Sequence, residues 1–126
     1  MSFEKRHEFT NTFAPIHFAD NVQTLFVQSG DGTLWVQPNG GALTTWPDTV
    51  VRWVCKEPFS ISFKQQGGPP QPLPNLEGSK VGENLFQCEL RPAGTFTGGF
   101  GPYYEYTVTV GELTLDPIII VDKKPQ

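Results

Sequence analysis

Along "YYEYTVTV", Tyr104, Tyr106, Val108 and Val110 alternate with Glu105, Thr107 and Thr109. A period of two with polar partners is what a half-buried strand requires, one face on a core and the other on solvent. "NLFQCEL" repeats the pattern, with Phe86, Cys88 and Leu90 facing one way and Gln87 and Glu89 the other. In "QTLFVQSGDGTLWVQP", Leu25 and Val27 share one face, and Leu34 and Val36 share one face of a return strand beyond Ser29-Gly30-Asp31-Gly32. That linker carries the positive-φ residues of a hairpin loop. The strongest internal strand runs from Thr49 to Cys55, with a short continuation from Phe59 to Phe63 and a brief strand around Leu43.

Turn chemistry separates these segments. Gly111-Glu112 supplies a two-residue connection with Gly first, as a type II′ turn prefers. The return strand begins with Leu113 and Leu115, is interrupted at Asp116-Pro117 and resumes as "IIIV". Pro117 removes a ladder donor and so marks an edge position or a bulge where the strand changes partner. Residues 64–84 read as a long Gly/Pro-rich loop, because the prolines at 69, 70, 72 and 74 cannot join a central ladder. A second Gly-rich loop, "RPAGTFTGGFGP", precedes the Tyr-rich strand, and residues 1–21 read as an N-terminal arm or an extra strand.

Composition points the same way. The 126 residues include thirteen Gly, twelve Pro, ten Phe, three Tyr and three Trp, a mixture suited to many short strands and defined turns. The expected fold is a single all-β domain over 1–126, an antiparallel Greek-key β-sandwich of about seven to eight strands. Thirteen acidic residues face nine basic ones, with basic pairs only at Lys5-Arg6 and Lys123-Lys124. No stripe of Lys and Arg exists to neutralise phosphates, so nucleic acid is not an expected partner. The longest apolar run, Ile118 to Val121, is too short for a membrane-spanning helix, and no membrane partner is expected. The first residues carry charge from Glu4 and no apolar core of a signal peptide, which leads to an expectation of a cytoplasmic protein, or a secreted one if a signal has been removed.

"GTLWVQP", "PDTVVRWVCKEPFSISF" and "GPYYEYTVTV…DPIIIVD" together are similar to the layout of the cupredoxins, the plastocyanin and azurin group of small copper proteins. The similarity spans about residues 24–122 and implies a cupredoxin-like, immunoglobulin-like sandwich. The family holds copper through two His, a Cys thiolate and an axial Met, donors that suit copper in both oxidation states. Position by position, the first family histidine falls at or next to Phe59 and the cysteine at Val108. The loop that would carry the second histidine and the methionine is reduced to Val110-Gly111-Glu112-Leu113. The resemblance therefore implies the fold without the copper ligands, and no metal or other cofactor is expected.

The remaining candidate chemistry is sparse. Cys55 and Cys88 form no C-x-x-C pair and read first as small buried hydrophobes, with a disulfide as the alternative. No G-x-S-x-G elbow, H-E-x-x-H motif or Lys-containing phosphate loop occurs, so no enzyme is expected. Trp46, Phe96, Phe100 and Tyr103 sit in or beside Gly/Pro-rich loops, where aromatics either cap the sandwich or anchor a partner. Three readings follow. One is a metal-free, non-catalytic interaction or structural module, binding another protein or itself through those loop aromatics or a sheet edge. Another is a carbohydrate-binding sandwich in which Trp35, Trp46 and the tyrosines form a stacking platform. The third is an enzyme using Cys55 or Cys88.

Overall fold

The computed structural model describes residues 16–17, 22–68, 70–92 and 101–122. Among them the chain forms β1 (Ile16–His17), β2 (Val22–Gly30), β3 (Thr33–Gln37), β4 (Leu43–Thr45), β5 (Val50–Cys55) and β6 (Ser60–Gly67). It continues with β7 (Leu76–Glu77), β8 (Ser79–Gly82), β9 (Leu85–Leu90), β10 (Tyr103–Val110), β11 (Leu113–Leu115) and β12 (Ile118–Val121). One sheet has the order β1-β4-β12-β10-β6-β7, with β11 also on β10; the other has the order β3-β2-β5-β9-β8. No α-helix occurs among the described residues.

The all-β sandwich agrees with the sequence pattern, in two respects differently from expectation. Short edge pieces raise the strand number above seven or eight. The sheets are also not purely antiparallel: β4 pairs in parallel with β1 and with β12, and β2 pairs in parallel with β5. Parallel neighbours need a crossover, and the chain supplies one by leaving β3 for β4 in the opposite sheet before returning as β5.

Inward positions of both sheets meet in one core. Leu25, Val27, Val36, Val51 and Trp53 from one sheet pack against Tyr104, Tyr106, Val108, Leu115 and Ile119 from the other. Trp53 lies at the centre, edge-on to Tyr106 at a ring separation of 5.3 Å and to Phe63 at 6.3 Å. Its Nε1 donates to the Tyr106 hydroxyl at 3.4 Å, and that hydroxyl donates to the Gly41 carbonyl, so the polar atoms of the aromatic core are paired.

The turns follow their residues. Asp31 and Gly32 both have positive φ, 53° and 73°, the pair a type I′ hairpin demands between β2 and β3. Gly111, with φ 59°, makes the tight β10–β11 turn. At Pro117 the return strand changes neighbours: among the described residues β11 pairs only with β10, whereas β12 pairs with both β10 and β4. The Tyr106 amide still reaches the Pro117 carbonyl at 2.8 Å, bridging the interruption.

Residues 64–84 are not one loop. β6 continues to Gly67 alongside β10, and β7 and β8 occupy the edges of the two sheets, leaving 68 and 70–75 as the irregular part among the described residues. Gln65 fixes that part, its Nε2 donating to the Gly67 carbonyl at 3.0 Å and its Oε1 accepting from the Gln71 amide at 3.0 Å. The chain passes from sheet to sheet at Gly78, whose amide donates to the Phe59 carbonyl at 2.8 Å. A Cβ there would lie 2.5 Å from the Phe59 ring, so the crossing needs glycine. Of the N-terminal arm, Ile16–His17 forms an extra strand on β4, and the rest lies outside the described residues.

Candidate functional site

With the inward positions committed to the core, any recognition surface is built from the outward ones. On the five-stranded sheet these are Val22, Thr24, Phe26 and Gln28 of β2, Trp35 and Gln37 of β3, Val50, Arg52 and Val54 of β5, and Leu85, Gln87 and Glu89 of β9. Register divides them. Thr24 lies beside Arg52, and Arg52 lies beside Glu89 and bonds it at 2.7 Å, forming a polar belt across the sheet. Val22 sits next to Val50 on one side of the belt. On the other side Phe26 neighbours Val54, with Trp35 and Leu85 flanking them. Phe26 is 50% exposed and Leu85 38%.

This second group floors a concavity of about 620 Å³ that also involves Gln28, Ser29, Lys56 and Glu57. The Trp35 Nε1 donates to Gln28 Oε1 at 2.5 Å, while the far edge of its six-membered ring reaches Gly30, 3.6 Å from where a Cβ would stand. Both contacts lie on the outward side of β2, so the indole lies along the sheet instead of standing off it. Ser29 donates its hydroxyl hydrogen to the Glu57 carboxylate. The Glu57 amide in turn donates to Cys55 Sγ at 3.5 Å, which holds the 56–57 turn at the rim.

Of the four loop aromatics singled out in the sequence, Trp46 and Tyr103 are among the described residues. Trp46 is 8% exposed and belongs to the closed end of the sandwich, so it presents no ring to a partner. A cross-sheet polar tie runs past its backbone: Thr49 Oγ1 donates to the Trp46 carbonyl at 2.5 Å and meets Thr45 Oγ1 at 2.8 Å, and Thr45 donates to Gln23 Oε1 of β2 at 2.8 Å. Tyr103 is 42% exposed, with its ring over Gly67 on the opposite sheet from the concavity. Phe96 and Phe100 lie outside the described residues.

Phe26, Val54 and Leu85 were not among the expected site residues, yet a signal for Phe26 and Val54 was present. "TLFVQ" and "RWVC" place apolar residues at consecutive positions, so the outward phase of the strand is apolar as well as the inward one.

Both cysteines are buried and free, and register places Cys88 opposite Trp53 and Cys55 opposite Phe86. Burial pushes the Cys88 thiol up to about 12, assisted by the adjacent Glu89 charge, and raises Cys55 as well. Neutral thiols are poor nucleophiles at physiological pH. Phe59 and Val108, where the cupredoxin resemblance would put two of the family's ligands, are core residues. Among the described residues, no three His, Cys, Asp or Glu side chains group as metal ligands. No family model, curated protein or solved structure matches the chain.

Proposed function

We propose that this chain is a non-catalytic, copper-free cupredoxin-like module that docks onto another protein through the outer face of its five-stranded sheet. The observation that carries the reading is the distribution of exposed apolar side chains. Of the five large hydrophobics that are exposed among the described residues, Val22, Phe26, Val81 and Leu85 belong to this sheet. Scattered apolar side chains are ordinary on protein surfaces, whereas their concentration on one face is a mark of contact surfaces. The protonated thiols support the non-catalytic part. The strands that carry the cupredoxin resemblance are present as β3, β5–β6 and β10–β12, in support of the family reading.

The test is photo-crosslinking in the native host with the reactive group placed at Thr24 or, as a control, at Ser62 on the other sheet. A discrete adduct from Thr24 is expected. The adduct's second protein, purified and recombined with this chain, should lose at least about tenfold in affinity, or 1.4 kcal/mol, when Val22 and Leu85 are both replaced by Ser. An adduct from Ser62 alone would overturn the assignment of the face.

A further inference from the structure

We infer that the concavity floored by Phe26, Trp35, Val54 and Leu85 is a carbohydrate subsite that takes the C–H face of an uncharged pyranose ring. This goes beyond protein docking and does not require it. A pyranose is amphipathic in a particular way: its ring hydrogens form an apolar plate, and its hydroxyls project around the rim as both donors and acceptors. The concavity has the complementary arrangement. Its floor is aromatic and aliphatic, and its volume of about 620 Å³ suits a small ligand.

The principal floor residue is also fixed in orientation. Trp35 is held along the sheet by its Nε1 bond to Gln28 and by the room that Gly30 leaves for its ring. A ring positioned before binding loses little conformational entropy when a flat ligand stacks on it. Around the rim, Glu57 is oriented by the Ser29 hydroxyl on one carboxylate oxygen, and its second oxygen has acceptor capacity for a sugar hydroxyl. Gln28 gives its carbonyl oxygen to Trp35, so its amide hydrogens are the donors at that side, and Lys56 supplies further donors. Among the described residues, Lys56 and Glu57 are the only ionised side chains lining the concavity and carry opposite charges, which favours neither an anionic nor a cationic ligand. A purely apolar peptide segment would use the floor and leave the oriented carboxylate and amide without purpose.

The experiment is titration of the full chain with neutral oligosaccharides of glucose, galactose and N-acetylglucosamine, read by tryptophan fluorescence. Trp46 and Trp53 are buried, so a shift reports Trp35. At least one sugar is expected to give a saturable change with a millimolar or tighter Kd. Trp35→Ala should abolish binding measured by calorimetry, Glu57→Gln should weaken it about tenfold, and Val22→Ser should leave it unchanged while still weakening capture of a protein partner. No saturable change with any of the sugars overturns the subsite, as does sugar binding that survives Trp35→Ala. Binding of an apolar peptide in a Trp35-dependent manner without any sugar binding also overturns it, and leaves the protein-docking reading standing.

Discussion

Where β6 runs beside β10 the outward positions include Ser60, Ser62, Lys64, Glu105, Thr107 and Thr109, paired so that Lys64 faces Glu105 and Ser62 faces Thr107, with Gln66 and Tyr103 outward beyond them. Across β2, β5 and β9 the corresponding positions include Val22, Phe26, Val50, Val54 and Leu85. The inward positions of the two sheets, by contrast, are alike, and both feed the aromatic cluster around Trp53. Where β6 and β10 pair between 60 and 64 and between 105 and 109, the sandwich therefore dispenses with apolar residues outward, although Tyr103, Ile118 and Ile120 lie outward elsewhere on that sheet. The difference points to a second demand on the five-stranded sheet, which our proposals assign to contact with a partner and a sugar.

The comparison breaks first if the outward aromatics prove to be stability residues. Trp53→Ala should cost about 3–5 kcal/mol in denaturant unfolding, because it opens a large cavity at the junction of both sheets. Phe26→Ser, at a half-exposed position, should cost about 1 kcal/mol or less. A loss for Phe26→Ser close to that for Trp53→Ala would show that the outer face serves the fold.

Much of this architecture was legible in the sequence, because burial on one face imposes a period of two that no other structure shares. The alternations in β9 and β10, the Asp31-Gly32 and Gly111 turns and the Pro117 interruption all appear where the residues place them. What was not legible has physical causes. β7 and β8 are edge strands whose residues are largely exposed on both faces, so they carry no alternation to detect. Parallel pairing of β2 with β5 depends on where the intervening chain travels, which local pattern does not encode. Trp46 sits in turn-like sequence, yet Thr45 and Thr49 beside it are tied to Gln23 of β2, a contact across 22 residues that local pattern does not show. The candidate site was half visible: consecutive apolar residues marked the outward phase of β2 and β5, but which loop residues would rim it depended on the sheet register.

A smaller effect sharpens the contrast between the two faces of β9, where Cys88 points inward and Glu89 outward. The folded thiol is raised from 9.0 to about 12, so the unfolded chain releases its proton first as pH rises. Stability contributed by the neutral thiol is intact below about pH 9 and is lost progressively between there and about 12. Tyr104 and Tyr106, also raised by burial, deepen the decline once unfolded tyrosines ionise. Cys88→Ala should flatten the alkaline part of a denaturation-versus-pH curve, and Glu89→Gln should flatten it less, since desolvation outweighs the carboxylate. An unchanged curve in Cys88→Ala would mean that the inward face is wetter than its packing indicates.

The smallest expected change lies on the polar stretch of the β6–β10 pair. Thr107 Oγ1 donates to Asp116 Oδ1 at 2.8 Å, tying β10 to the interruption before Pro117. Thr107→Val removes this partly buried bond but keeps the β-branched shape, so the cost should be about 1 kcal/mol or less in thermal or denaturant unfolding. Capture of a protein partner and sugar binding should both be unaffected, because the residue is on the sheet opposite the concavity. If Thr107→Val instead weakened either binding event while leaving stability unchanged, the polar face would be the one in contact with a partner. The apolar outward residues of β2, β5 and β9 would then have to be explained by strand propensity alone, to which β-branched and aromatic side chains contribute even when half exposed.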